Sequence, residues 1–335
     1  MIKVVQKMIE QNKNQEHCSW PSSEREINNQ LTSELYKTCL PMFRGIIEKE
    51  NLDKDLLHQF LDVYIPLAAW LAKKHASKPI VIGINGAQGS GKSTISRILK
   101  SVLSNAFKKS VLHLSIDDLY LSREKREENA KTIHSLLRVR GVPGTHDVEL
   151  GHKILSAIVS SNHDINLQIP KFNKAQDNLF SKEHWQTINQ SVDIVLFEGW
   201  CVGAKPQHED ELEPAINDLE RKEDPHAIWR KHVNQQLSES YQDLFNHIDY
   251  LIMLKVPDME SVFKWRNLQE QKLAASHAKN EEHSHIMSPS EISHFIMHYE
   301  RITRACLSDM PDRADIVLEL NNGHKINNIK IKESL

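Results

Sequence analysis

The sequence has 335 residues, 39% of them hydrophobic and 26% charged, with a formal charge of −3 when histidine is counted neutral. That composition suits a globular chain long enough for one large α/β domain or two small ones. It lacks the basic excess that nucleic-acid binding requires, and no apolar run reaches the ~18 residues of a membrane-spanning helix. The cysteines Cys18, Cys39, Cys201 and Cys306 stand far apart with no CxxC pair. This points to reduced thiols in a cytoplasmic protein rather than a zinc ribbon or redox couple. The start, MIKVVQKMIEQNKNQ, lacks the apolar core and cleavage site of a signal peptide. Histidines are numerous but scattered. Their densest group, His277, His283 and His285, has no metal-site spacing and reads as surface.

Residues 1–20 read as a polar lead-in. From Glu26 to His75 apolar residues recur at helical spacing, in LTSELYKTCLPMFRGIIEKE, interrupted by Pro41, and in LLHQFLDVYIPLAAWLAKKH, which contains Pro66. Residues 1–77 are therefore expected to form an N-terminal helical section, and residues 78–335 the main domain. PIVIGI (79–84) is an unbroken apolar run of the kind that forms a buried parallel strand, followed by a glycine-rich loop and a helix from Ser93 to about Phe107. SVLHLSI (110–116) predicts a second strand, 121–139 a charged helical stretch, RGVPGTHD (140–147) a turn-rich connection, and VELGHKILSAIVSS a helix. INLQIPKF (165–172) reads as one short strand and VDIVLFEGW (192–200) as a buried one. The acidic, proline-containing stretch 205–227 reads as a mobile insertion. Beyond it lie a helix over 228–246, a strand IDYLIMLKV (248–256), a helix over 259–275, a polar stretch over 278–290 and a last helix that starts at Ser288-Pro289-Ser290-Glu291. ADIVLEL (314–320) and KINNIKIK end the series as strands. Alternating strands and helices give an α/β fold: a parallel sheet flanked by helices, of the P-loop NTPase type, with the N-terminal helical section added.

Gly86-Ala87-Gln88-Gly89-Ser90-Gly91-Lys92-Ser93 matches G-x-x-x-x-G-K-[ST] without a mismatch, between a predicted strand and a predicted helix. Glycines let the backbone turn its N–H groups inward onto phosphate oxygens, and the helix N-terminus adds its positive dipole end. Lys92 offers a point charge to the β- and γ-phosphates, and Ser93, followed by Thr94, offers a hydroxyl to Mg²⁺. These residues predict binding of a nucleoside triphosphate, taken as ATP.

In open α/β sheets ligands gather at the carboxyl ends of strands. SIDDLYL puts Asp117 there, able to accept or orient the proton of an attacking hydroxyl. Asp118 can do the same, assist Mg²⁺ through water, or cap a helix, and Tyr120 joins it as a substrate candidate. Glu198, ending VDIVLFEGW, is a candidate Mg²⁺ ligand, with Trp200, Lys205 and Pro206 beyond it as acceptor-pocket candidates. Arg140, His146 and Asp147 in RGVPGTHD suit a small polar substrate, or serve only as turn and cap residues. Arg266, Arg301 and Arg304, on predicted helices, are lid candidates that can neutralise phosphoryl charge, or helix-surface residues.

GAQGSGKST, SIDDLYL, RGVPGTHD, IPKFNKAQDN and VLFEGWCVGAKP occur in an order that resembles the D-glycerate 3-kinases of plants, fungi and their bacterial relatives. That family stands with phosphoribulokinase, uridine kinase and bacterial pantothenate kinase. The resemblance runs from about Pro79 to Leu320, and GTHD together with FEGWCVGAKP is what favours glycerate kinases over their cousins. It implies that Lys92 and Ser93 hold phosphate and Mg²⁺, that Asp117 is the catalytic base, that Glu198 is the acid after the strand, and that Arg266 is a lid-region arginine. Asn173 departs from the pattern, which has Asp before Lys174. The implied activity is Mg²⁺-dependent transfer from ATP to the hydroxyl of D-glycerate. A nucleoside, pantothenate or a sugar phosphate is the alternative acceptor, and an acceptor-free ATPase a third reading. Against a GTPase, Asn173-Lys174-Ala175-Gln176 lacks the final Asp of NKxD. No LSGGQ of a transporter ATPase is present.

Overall fold

The computed structural model describes residues 18, 20–21, 29–49, 56–161, 163–280 and 287–332. Residues 1–17 of the lead-in lie outside these, as do His283 and His285.

Six strands form the main sheet: β1 (Ile80–Gly86), β2 (Val111–Ser115), β7 (Ile194–Gly199), β8 (Tyr250–Lys255), β9 (Ile316–Leu320) and β10 (Ile326–Ile331), in the order β10-β9-β8-β1-β7-β2. All pair in parallel except β10, which turns back antiparallel on β9. The parallel strands are apolar runs because both faces are covered. Along β7, Ile194 and Leu196 enter the core on one side, and Val195 and Phe197 the core on the other.

The first face packs against α1 (Asn29–Lys49), α2 (Leu56–Gln59), α3 (Ile65–Lys74) and α4 (Lys92–Asn105), with Phe43, Phe60, Trp70, Ile98 and Leu99 meeting Ile82 and Leu196. Helix α1 runs through Pro41 without a break, contrary to the expected interruption. A π-helical turn, Phe60–Tyr64, joins α2 to α3 just before Pro66. Pro66 has no N–H for the carbonyl four residues back, and that carbonyl, on Asp62, accepts from the Trp20 N–H at 2.8 Å.

The second face packs against α6 (Val148–Val159), α9 (Ile228–Ser238), α10 (Ser240–Phe245) and part of α12 (Pro289–Asp309), through Leu155, Leu237, Leu244 and Ile302. The charged α5 (Arg123–Thr132) precedes this layer, and α11 (Met259–Asn280), which contains His277, follows β8. The helix expected over 228–246 breaks at Glu239 into α9 and α10.

Two expectations are corrected. INLQIPKF is not one strand: Pro170 separates β3 (Leu167–Ile169) from β4 (Phe172–Asn173), and these pair with β6 (Gln186–Ile188) and β5 (Asn178–Leu179) in two small hairpins. The acidic stretch is not a mobile insertion either. It folds into α7 (Glu209–Leu212) and α8 (Asp218–Glu223), because two of its acids, Glu220 and Asp224, are interior partners while the others stay exposed. Glu220, fully buried, accepts from Arg301 at 2.7 and 2.6 Å, and buried Asp224 accepts from Arg230 at 3.1 Å.

Candidate active site

The phosphate loop leaves the end of β1 and runs into α4. Gly89 (φ 76°) and Gly91 (φ 91°) take left-handed conformations that a side chain would strain. Gly91 is the N-cap of α4, so Lys92 and Ser93 open its first turn, with Thr94 behind them. Ser90 Oγ and both polar atoms of the Gln88 side chain are buried without a hydrogen-bond partner among the described residues. Buried polar atoms of this kind are costly unless something pairs with them. The loop thus presents unsatisfied donors at a helix N-terminus, an arrangement that suits an anion.

Glu198 lies in β7 directly between Ile84 of β1 and Ser115 of β2. It is 2% exposed. Its Oε1 accepts from the Ser93 hydroxyl at 2.8 Å, and His113 Nε2 stands 3.7 Å from the same oxygen. Its Oε2 has no hydrogen-bond partner among the described residues. Burial pushes the carboxyl up, but His113 and Lys92 outweigh that and hold it below its ordinary value. One ionised carboxylate with an unused oxygen beside a serine hydroxyl fits Mg²⁺, which takes one or two protein oxygens and draws the rest from phosphate and water. Among the described residues no group of three or more His, Cys, Asp or Glu is arranged for a metal ion.

Asp117 stands two residues beyond the end of β2, in a 3₁₀ turn (Ile116–Leu119). Its Oδ1 accepts from the Tyr120 hydroxyl at 2.8 Å and its Oδ2 from Lys174 Nζ at 2.6 Å. Burial acts to raise its pKa; Lys174, Lys92 and the two hydrogen bonds prevail and hold it well below the usual carboxylate range. Asp118 points elsewhere: its Oδ1 accepts from the Phe172 N–H at 3.2 Å, and burial raises its pKa. With Tyr120, Ser122, Lys125 and Asp147 it lines a separate cavity. The two neighbouring acids therefore hold the β4–β5 hairpin at two points, one by side chain and one by backbone. Asn173 closes the turn that carries Lys174, its Oδ1 accepting from the N–H groups of Ala175 and Gln176 at 3.1 and 3.2 Å. An Asp carboxylate can accept these bonds equally well, so the departure at this position leaves the turn intact.

RGVPGTHD packs beneath this group. Buried His146 stacks on Tyr120 at 4.6 Å, and its Nδ1 lies 2.6 Å from the Tyr241 hydroxyl. That hydroxyl also accepts from the Gly144 N–H at 3.1 Å. Burial pulls the His146 pKa down to about 4, so the ring is neutral at pH 7. Asp147 caps α6, accepting from the Leu150 N–H at 3.0 Å. Arg140 is paired with Asp177 and lies over the Phe172 ring. Trp200 donates from Nε1 to the Gly141 carbonyl at 2.9 Å, and Asn85 donates to the Trp200 and Val202 carbonyls, binding the ends of β1 and β7 to this loop.

The other residues singled out from the sequence lie apart from Asp117. Lys205 borders a cavity with Gln207, Trp229 and Arg230, among helices α9 and α12. Arg266 has its backbone against Gly89, while its guanidinium is held by Glu270 at 2.8 Å and lies over Phe295. Arg301 is consumed by buried Glu220, and Arg304, largely exposed, pairs with Glu300 on its own helix. Sequence reasoning passed over four side chains. Lys174 is the most consequential, and the only hint of it was its place in IPKFNKAQDN. Tyr241 carried no local signal. Trp265 and His324 stack at 4.2 Å beside the phosphate loop, Trp265 against Gly89 and His324 near Gly91.

The KAP family P-loop domain matches this chain over residues 62–288. The uncharacterized kinase mug58 of Schizosaccharomyces pombe is 32% identical over 234 residues, 68% of this chain and 80% of the relative. The chloroplastic D-glycerate 3-kinase of Arabidopsis thaliana is 28% identical over 254 residues, 70% of this chain but 52% of the plant protein, about half its length. A solved D-glycerate 3-kinase from Cryptococcus neoformans shares the fold, with a TM-score of 0.64 at 22% identity, covering 80% of this chain and 97% of that one.

Proposed function

We propose that this chain, which belongs to the KAP family of P-loop domains and is an ATP-dependent small-molecule kinase, transfers the γ-phosphoryl group of ATP to D-glycerate. The products are ADP and 3-phosphoglycerate. The observation that carries the reading is Asp117. It is an ionised acid at a strand end beside the phosphate loop, with a lysine on its other oxygen. The plant relative named as a D-glycerate 3-kinase supports this acceptor.

In this reading the loop N–H groups and Lys92 hold the phosphates, and the Trp265–His324 pair is the platform for the base. Ser93 and Glu198 hold Mg²⁺, which when bound neutralises charge on the β- and γ-oxygens. Asp117 accepts a hydrogen bond from the C3 hydroxyl and aims its oxygen at the γ-phosphorus. The new P–O bond forms as the bond to the β-phosphate oxygen breaks, and the hydroxyl proton passes to Asp117 and then to water. An acid held well below its ordinary pKa is a weak base. That is sufficient in a loose transition state, where orientation contributes more than proton abstraction.

The test is ADP release with MgATP and, separately, D-glycerate, L-glycerate, pantothenate, uridine or ribulose 5-phosphate, with Lys92→Ala as the blank. Release that depends on D-glycerate, with 3-phosphoglycerate as the product, is the expected result. Dependence on another acceptor would move the substrate, and acceptor-independent release would favour an ATPase.

A further inference from the structure

An acceptor carboxylate near Asp117 needs a cationic partner, and the side chains that bond Asp117 are Tyr120 and Lys174, not the cations the sequence offers for the task. Arg140 is paired with Asp177. Lys205 borders a different cavity. His146 is a neutral ring tied to Tyr241. Lys92 belongs to the phosphate loop. Lys174 is different in position and in what it leaves unused. Its Nζ is 2.6 Å from Asp117 Oδ2, and its side chain is 62% exposed against 25% for Asp117, so the ammonium stands on the open side of the acid. An ammonium has three donors, and Asp117 takes one.

The arm that carries Lys174 is firmly built. Arg126, 1% exposed, donates to the Asp177 carbonyl at 2.9 Å and also pairs with the Asp177 carboxylate at 2.9 Å. It further donates to the Arg138 and Leu121 carbonyls. Asp118 holds the other side of the hairpin through the Phe172 N–H, and Arg140 braces Asp177 as well. A buried arginine that ties the hairpin residue Asp177 to the Leu121 and Arg138 backbone makes the hairpin a fixed support for what stands at its tip.

We infer that Lys174 is the receptor for the acceptor's carboxylate and the positioning residue that seats its hydroxyl on Asp117. The inference rests on the glycerate reading and deepens it, since it makes the acceptor a short hydroxy acid. Each Asp117 oxygen has a lone pair beyond the bond it already accepts, so a hydroxyl can reach the acid while the same molecule's carboxylate takes the free Lys174 donors. Only a molecule of a few carbons spans groups this close.

The test compares D-glycerate with glycerol, which keeps the hydroxyls and lacks the carboxylate, in wild type, Lys174→Met and Lys174→Arg, with MgADP binding as the control for folding. The wild type is expected to prefer D-glycerate in kcat/KM. Lys174→Met should cut that preference about 10- to 100-fold, chiefly through KM for D-glycerate, and Lys174→Arg should restore part of it. An equal fall with both acceptors, leaving the preference intact, would overturn the inference, because Lys174 would then act on Asp117 alone. A wild type that ignores D-glycerate but takes another carboxylate acceptor sinks the glycerate reading. The same ratio, formed with that acceptor and its analogue lacking the carboxylate, then decides Lys174 by the same criterion. A wild type that prefers acceptors without an anionic group overturns both.

Discussion

The Ser93 hydroxyl donates to Glu198 Oε1 across 2.8 Å, joining the first turn of α4 to the end of β7. Glu198 Oε2 is buried without a hydrogen-bond partner among the described residues, which supports the proposal that the pair holds a cation. Glu198→Gln keeps the shape and the bond from Ser93 but removes the charge. It should lower kcat about 100-fold or more and raise the Mg²⁺ concentration for half-maximal rate. A Mg²⁺ titration of ADP release checks this, and an unaltered Mg²⁺ requirement would remove Glu198 from the metal site.

Asp117→Asn should lower kcat by about 10²- to 10⁴-fold while nucleotide binding persists. The pH profile follows from the direction of the Asp117 shift. The ionised form is the active one and its pKa lies below the ordinary 3.8, so the wild-type rate should show no acid limb from Asp117 above that pH. Removing Lys174 takes away the strongest depressing influence and leaves burial, which raises the pKa, opposed by Lys92 and the Tyr120 hydrogen bond alone. The Lys174→Met profile should therefore fall at higher pH than the wild type. Two superimposable profiles would count against this coupling.

What the sequence made legible was what short-range pattern can encode. β1, β7 and β8 are uninterrupted apolar runs because both their faces are covered, and the phosphate loop announces itself in eight residues. The β4–β5 hairpin has strands of two residues, too short for any period to show. Lys174 meets an acid 57 positions away, and nothing in IPKFNKAQDN states that partner. Composition misjudged 205–227 for a similar reason. Glu220 finds Arg301 81 residues later, and an acid count cannot distinguish a paired interior carboxylate from a solvated one.

That pair has a measurable consequence. Arg301→Met leaves the Glu220 carboxylate buried without its cation and should cost about 3–5 kcal/mol, seen as a lowered Tm. The double variant Glu220→Leu/Arg301→Met should recover most of the loss, since an apolar pair carries no uncompensated charge. Thermal unfolding of the three proteins decides it, and a single variant as stable as the wild type would mean that Glu220 is solvated.

Glu319 ties three strands together, accepting from Asn328 at 2.7 Å, Lys330 at 2.9 Å and Lys255 at 3.3 Å. Asn328 and the two lysines lower its pKa from 4.5 to about 2. A depressed carboxyl stabilises the fold above its unfolded pKa and ceases to do so as pH falls through its folded pKa. Glu319→Gln should therefore be less stable than wild type at pH 7, by about 1–2 kcal/mol after allowance for solvent screening. The difference should narrow between about pH 4.5 and pH 2. Urea melts across that window would show a constant gap if the network contributes nothing.

The centre of the sheet also dictates when the phosphate loop acquires its form. β1 leaves the ribosome well before its two neighbours, β7 and β8, which begin at Ile194 and Tyr250. Pairing of such distant segments is slow, because a long span of chain must close before the contact stabilises anything. Until then the apolar run Ile80–Ile84 has no strand on either side and is open to association with other nascent chains. A chain halted before Lys255 holds every residue of the loop and Glu198, but lacks the full strand that fixes β1 on its second side.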